Sequence, residues 1–576
     1  MKFLVAIIAV FGGQLVSSVA GDRLSNNVLL RYMCGKVACD DLIVETKQGK
    51  LQGRAFESVL NKNEYYAFLG IPYAKPPLGE LRFQAPEPAD SWDNVYDAYY
   101  ERSMCKQVDF VTNFIPIGAE DCLHLTVYTP ELPKKIKTLK PVMVSIHGGG
   151  FCRLSGSRRM FSADYLITKD IVLVSINYRL MALGFLNLGI PESPGNVGLK
   201  DQVLALKWVQ QNIERFGGDP NKVTIFGESA GGSSVHYHTI SPMSKGLFHK
   251  AIMQSGSALS PWGLTFKPIQ QAFEIGKRCG YKGNDTKELM YHLRNQTSST
   301  IVTASMSWIS YYRDVYPARI INIGPSVETI QEGAFLPDWP TNLIKTAAPV
   351  PAIYGVNDKE GILSLIDMNR RALEMITYNF SLMVSNNFRV DPKLVPQLSA
   401  KIKKFYFGDK KVGHESAEEL IDLFSDIFFY YAYDAIDFLT NSSIPPYIYE
   451  FSYNGRLNYL NRYANFMKRT KIRGASHGDD QFYLFYQQFM PSFPVVDSES
   501  KKMIDIMITM WTNFAKTGIP SGSAHWNVST FNEPCYLEID ERPEMMPGKF
   551  YNRRLDFLKG LLDPVIQPGT QPYDIF

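Results

Sequence analysis

Ser229 stands between two glycines in Gly227-Glu228-Ser229-Ala230-Gly231, directly after the apolar run 223–226. A serine in G-x-S-x-G that follows a strand and opens a helix sits in a strained turn that projects its hydroxyl from the carboxyl edge of a sheet. The pentapeptide alone also fits a structural turn. The strand before it and the small residues after it favour a nucleophile. A hydroxyl attacks only when a base takes its proton, and the resulting oxyanion needs donors already aimed at it.

Donors are found in the stretch 145–151, Ser-Ile-His-Gly-Gly-Gly-Phe, which follows another apolar run. Glycines there free backbone N–H groups to meet a developing negative charge. Gly149 and Gly150 are the expected donors, joined by the N–H of Ala230 at the start of the helix after Ser229. Losing one such donor typically costs about 3 kcal/mol of transition-state stabilisation. A phosphate-binding loop would need a Lys-Ser/Thr ending or G-x-G-x-x-G spacing, which this stretch lacks.

The base and its orienting acid must follow in the order Ser, Asp or Glu, His. Of the nine histidines, His477 lies on a glycine-containing loop beyond the last strong strand, where a base is expected. His236 and His238 fall on the helix after Ser229 and read as packing or surface residues. Their H-x-H spacing finds no further ligands nearby, so no metal and no cofactor is expected. Glu360 and Asp358 both stand at the end of the strand pattern 352–356, and spacing does not separate them.

The elements that position these groups are legible as continuous apolar runs at 141–150, 171–180, 223–231, 250–258, 351–361 and 446–455. Continuous rather than alternating apolar character marks parallel strands covered on both faces. Leu199, Val203, Leu206, Val209, Ile213 and Phe216 recur at helical spacing and stop at Gly217-Gly218. Strands alternating with helices predict an α/β fold, one large and mostly parallel doubly wound sheet with helices on both faces. The segment 43–56 predicts a hairpin that makes the N-terminal edge antiparallel.

Composition is that of an ordinary globular chain, with 45% hydrophobic and 20% charged residues among 576. The formal net charge is only +3, and no run of five like charges occurs. Nothing in these totals favours nucleic acid or an acidic membrane surface as a partner, and affinity for polyanions is not expected from them. Residues 1–20 carry a charged start, a short apolar run and Ser18-Val19-Ala20, the pattern of a secretory signal cut after Ala20. The apolar run is too short to span a bilayer, so no membrane anchor is expected. Residues 21–576 are expected to form one secreted, extracellular domain. An odd count of seven cysteines leaves at least one unpaired within the chain. Five sequons, at Asn284, Asn295, Asn379, Asn441 and Asn527, suit a glycosylated surface.

The stretches 68–83, 120–130, 147–151, 176–186, 195–232, 246–258, "GVNDKEG" and "GASHGDD" occur in one order across nearly the whole mature chain. Together they resemble the type-B carboxylesterase and cholinesterase branch of the α/β-hydrolases, in particular insect secreted carboxylesterases. The resemblance implies an α/β-hydrolase fold and a triad of Ser229, Glu360 and His477, choosing Glu360 over Asp358. It implies an oxyanion hole at Gly149, Gly150 and Ala230, a disulfide between Cys105 and Cys122, and a buried ion pair between Glu120 and Arg179. Trp262 falls where the family lines its acyl pocket.

Departures from that pattern carry expectations of their own. His292 replaces the family's partner for Cys279, which leaves the second disulfide in doubt, and Cys34 and Cys39 could close a small loop. Met181 replaces a small residue behind the oxyanion strand and is expected to narrow the pocket. The loop between Cys105 and Cys122 has no Trp to hold a quaternary ammonium, so choline esters are poor substrates on this reading. The expected activity is serine-dependent hydrolysis of small lipophilic carboxylic esters (odorant, pheromone or xenobiotic) through an acyl-enzyme. The alternatives are a juvenile hormone esterase, although Glu228 stands where those enzymes usually have Gln, and a non-catalytic adhesion protein.

Overall fold

In the computed structural model, residues 34–565 are described except 110–114, 316–322, 330–331, 369, 386, 389, 469–470, 489–495, 523 and 550–552. The signal segment 1–20 lies outside the described residues.

Eleven strands form the main sheet: β1 (Arg54–Glu57), β2 (Glu64–Pro72), β3 (His124–Thr129), β4 (Lys140–Ile146), β5 (Val172–Ile176), β6 (Gly218–Glu228), β7 (Lys250–Gln254), β8 (Ala352–Asn357), β9 (Tyr447–Phe451), β10 (Cys535–Ile539) and β11 (Glu544–Pro547). Their spatial order is β11-β10-β9-β8-β7-β6-β4-β5-β3-β2-β1. Every pairing from β10 through β5 is parallel. The two ends, β5-β3-β2-β1 and β10-β11, are antiparallel.

Side chains from each central strand alternate strictly between two apolar cores. Val142, Val144 and Ile146 join one core while Met143 joins the other. Val172, Val174 and Ile176 part from Leu173, Ala251 and Met253 from Ile252, and Ala352, Tyr354 and Val356 from Ile353, in the same way. A strand whose every residue is buried cannot show alternation in its sequence, because both faces are covered.

Six helices matter for the site: α1 (Val197–Asn212), α2 (Ala230–Ile240), α3 (Ala417–Thr440), α4 (Tyr459–Lys468), α5 (Ser498–Thr517) and α6 (Arg553–Leu562). The helical pattern that starts near Leu199 ends as expected: α1 tightens into a 3-10 turn at Ile213–Phe216, and Gly217 closes it at φ 85°. Helix α6 clamps α3 through ion pairs from Arg554 to Asp426 at 2.7 Å and from Lys559 to Asp434 at 2.9 Å.

The expected hairpin over 43–56 divides. Ile43–Glu45 and Lys50–Gln52 pair antiparallel in a separate small sheet with Tyr96–Asp97, and only Arg54–Glu57 edges the main sheet. The break falls at Gly53, where a Cβ would meet the Phe68 ring at 2.6 Å. The ion pair expected between Glu120 and Arg179 is also not formed. Glu120 is held in a fork by Arg82, with contacts of 2.7 and 2.5 Å. Arg179 forks onto Asp201 at 2.8 and 2.7 Å, with both side chains buried.

Disulfides join Cys105 to Cys122 and Cys34 to Cys39. Cys152, Cys279 and Cys535 are free thiols. His292, in the place of a partner for Cys279, directs Nε2 to the Cys279 carbonyl at 3.0 Å. All five sequon asparagines are exposed. Among the described residues, no helix is long and apolar enough to cross a membrane.

Candidate active site

β6 runs straight into α2, and Ser229 is the single residue between them, at φ 60° and ψ −123°. Such a conformation is costly for a residue with a side chain, of order 1–3 kcal/mol, and persists only where its surroundings enforce it. Here the Ser229 N–H donates to the Gln254 carbonyl at 2.8 Å, and the Ser229 carbonyl accepts from Ser233 N–H at 2.8 Å. The backbones crowd closely around the turn. A Cβ on Gly231 would lie 2.1 Å from the Ile146 carbonyl, and one on Gly256 would lie 2.1 Å from the Ser229 carbonyl.

The loop after β4 faces this turn. A Cβ on Gly148 would lie 3.2 Å from the Ser229 Cβ, which sets how near the loop passes. Gly149 and Gly150 adopt φ of 91° and 63°. The N–H groups of Gly149, Gly150 and Ala230 donate to no acceptor among the described residues. At the loop's start, the buried His147 ring stacks on Tyr178 at 4.4 Å, and the Tyr178 hydroxyl donates to the His147 carbonyl at 2.8 Å. Burial pushes His147 down to about 4, so the ring is neutral at neutral pH. Met181 is fully buried behind this loop, with its amide donating to the Phe151 carbonyl at 2.8 Å.

His477 arrives from the loop between α4 and α5. Its Nδ1 lies 2.5 Å from Glu360 Oε2. The other oxygen of Glu360 accepts from the Ser255 hydroxyl at 2.6 Å and the Asn357 amide at 2.8 Å. Asp358, the competing acid, turns elsewhere and accepts the Ala475 amide at 2.7 Å, so it fixes the backbone of the His477 loop. Burial raises the Asp358 carboxyl to about 7.

Three further groups bear on His477. Its Nε2 lies 3.0 Å from Oε1 of Glu228, the residue before Ser229. Among the described residues, Ser229 Oγ has no hydrogen-bond partner. Burial raises Glu228 to about 8, only partly opposed by His477. Burial alone would lower the His477 pKa, but the carboxylates of Glu228 and Glu360 outweigh it and push it to about 9. Asp479 accepts the amides of Ser476 at 2.8 Å, Leu460 at 2.9 Å and Asn461 at 3.2 Å, tying the loop to the start of α4. Asp480 is fully buried and accepts from Gln254 at 2.7 Å and the Tyr449 hydroxyl at 3.1 Å; burial raises its carboxyl.

Trp262 stacks on Phe428 of α3 at 5.7 Å, and Phe428 meets the His477 ring edge-on at 5.1 Å. Trp262 therefore belongs to an aromatic wall reaching the imidazole. Sequence reasoning missed Phe428, Asp479 and Asp480 as neighbours of His477, and Ser255 as a partner of Glu360. It noted Glu228 only as a mark of substrate type. His236 and His238 are buried packing residues, lowered by burial to about 4 and about 3. His238 is spent on Ser244 and Gln202.

The sheet and its strand–serine–helix turn define an α/β-hydrolase. The chain belongs to the carboxylesterase family, whose model matches residues 40–558, and it is a carboxylic ester hydrolase. It is 36% identical to esterase FE4 of Myzus persicae over 87% of each chain. It is 34% identical to the juvenile hormone esterase of Tribolium castaneum over 86% of this chain and 87% of that one. The crystal structure of juvenile hormone esterase from Manduca sexta, with OTFP covalently attached, superposes with a TM-score of 0.79. That match is 29% identical and covers 91% of this chain and 99% of the other.

Proposed function

We propose that the chain is a secreted serine esterase that cleaves small lipophilic carboxylic esters through an acyl-enzyme. Ser229 attacks the ester carbonyl, His477 takes its proton, and Glu360 holds the imidazole and offsets the charge it gains. The N–H groups of Gly149, Gly150 and Ala230 receive the oxyanion. His477 then protonates the leaving alcohol and activates the water that releases the acid.

The observation that carries this reading is the reach of His477 to both carboxylates. One ring nitrogen meets Glu360, and the other meets the residue adjoining Ser229. A swing of Nε2 from Glu228 to Ser229 Oγ would complete the relay. The N–H groups of Gly149, Gly150 and Ala230 have no acceptor among the described residues, and the close pass of Gly148 by the Ser229 Cβ supports an oxyanion hole at this turn. Trp262 and Phe428 support an apolar acyl or alcohol group. The signal pattern, two disulfides and five exposed sequons support secretion.

Juvenile hormone esterase activity is the second reading, favoured by the named relatives of Tribolium and Manduca. The deciding experiment has two arms. A fluorophosphonate probe should add its mass at Ser229, and Ser229→Ala should lose turnover of p-nitrophenyl esters by a factor on the order of a million. Unchanged turnover by that variant would defeat the serine mechanism. Steady-state kinetics on acetates, longer acyl esters and juvenile hormone then separate the two substrate readings.

A further inference from the structure

Between Arg456 and Gly478 the sequence has Arg456, Arg462, Lys468, Arg469, Lys471 and Arg473 and no Asp or Glu. Polar and apolar residues interrupt these cations, so no run of like charge shows it, and a chain of net charge +3 conceals it. In the fold, Arg456, Arg462 and Lys471 come together around an open cavity of about 440 Å³, within the ~300–1,000 Å³ range of ligand pockets. All three are exposed, as is Arg473 at its side.

The cavity wall is tied together by its own hydrogen bonds. Asn458 gives its amide to the Tyr453 and Gly474 carbonyls, and Asn465 both donates to the Ile472 carbonyl and accepts its N–H. These side chains are spent on the chain itself. Arg462 donates once, to the Arg456 carbonyl at 2.8 Å. Among the described residues, Arg462 and Lys471 have no carboxylate partner. Arg456 has one, Asp497, at 3.5 Å. Two carboxylates behind the bowl, Asp479 and Asp358, accept backbone amides of the same loop rather than these cations. Arg462 and Lys471 therefore reach the cavity rim without an ion-pair partner among the described residues.

We propose that this cationic bowl binds a sulfated glycan chain, holding the secreted enzyme on extracellular polyanions. Guanidinium forks match the paired oxygens of a sulfate group, and three cations at one rim fit a repeating polyanion better than a lone ion. No aromatic side chain is among the described residues that line the bowl, so nucleic-acid bases find no stacking platform there. A concave rim admits a flexible chain more readily than the plane of a bilayer. The choice of a glycan rests on the reading of the chain as secreted.

The test uses the full purified chain on immobilised heparin at physiological salt. Wild type is retained and released by added salt, as counterion release requires. The triple variant R456Q/R462Q/K471Q binds roughly a hundredfold more weakly, while K401Q/K403Q, on another exposed surface, binds as wild type does. All three hydrolyse a short p-nitrophenyl ester equally, which separates this site from the ester chemistry and shows that the variants fold. Wild type that flows through, a triple variant retained like wild type, or an equal loss in K401Q/K403Q overturns the proposal. So does binding to desulfated heparin, to DNA or to anionic phosphatidylserine vesicles as tight as binding to heparin.

Discussion

His477 Nε2 lies 3.0 Å from Oε1 of Glu228 while its Nδ1 lies 2.5 Å from Oε2 of Glu360, so one imidazole is shared by two carboxylates. In the proposed mechanism only Glu360 suits the role of an orienting acid, because it meets Nδ1 and leaves Nε2, the nitrogen nearer the residue adjoining Ser229. Glu228 occupies the nitrogen that the proposed mechanism needs for Ser229. It therefore competes with the nucleophile for the base.

That competition has a sign in pH. A base must be neutral to accept a proton, and the flanking carboxylates hold the His477 proton up to about 9. Wild-type kcat/KM should accordingly rise with pH through that region. Glu228→Gln removes one negative charge and lowers the His477 pKa, so the acid limb should move down by about one unit or more. The measurement is a kcat/KM–pH profile with a neutral ester. A limb at the same pH in both proteins would exclude Glu228 as the competing partner.

Glu360 and Asp358 answer to different assays. Glu360→Gln leaves the loop geometry but offers Nδ1 an amide in place of a carboxylate, and kcat should fall by about 10⁴ as in other triads. Asp358→Asn keeps an oxygen for the Ala475 amide, so it should change kcat far less. Steady-state kinetics with melting curves decide the matter, and similar losses of kcat in both variants would remove the distinction.

Asp479 reaches His477 only through the backbone. Asp479→Ala frees the Ser476 amide and the start of α4, at a stability cost of about 1 kcal/mol for the helix end. The larger effect should be on kcat, with KM little changed, because the imidazole is misplaced while the aromatic wall stays. Asp479→Asn keeps one acceptor oxygen and should recover part of kcat. If KM rises and kcat holds, the contact supports only the wall.

Much of this architecture was legible before any coordinates. Each central strand was visible as an apolar run, and Gly217 marked the end of α1. Ser229 and the glycine loop were legible because tight turns admit few residue types. Asp358 and Glu360 were not separable by spacing, since both leave β8 within four residues. Charge partners were harder still. Arg82, Glu120, Arg179 and Asp201 are all buried or nearly so, and the folded chain exchanges the expected pairing of Glu120 with Arg179 for two others. Attraction between opposite charges carries no register along a sequence. The expected hairpin forms over 43–52 but parts from the edge strand at Gly53, on which the Phe68 ring is pressed, a contact that no β-propensity records.

The Arg179–Asp201 pair gives a stability prediction that tests this exchanged pairing. Both side chains are buried, and Asp201 also accepts the Arg179 backbone N–H at 3.0 Å. Burial raises the Asp201 carboxyl, opposed by the guanidinium beside it. Arg179→Met removes that cation and leaves the carboxylate buried with one backbone donor, which should cost about 3–5 kcal/mol in chemical denaturation. The double variant R179M/D201N removes the stranded charge and should recover a substantial part of the loss. Glu120→Gln should not rescue Arg179→Met, because Glu120 is held by Arg82. Rescue by Glu120→Gln equal to that by Asp201→Asn would restore the pairing expected from sequence.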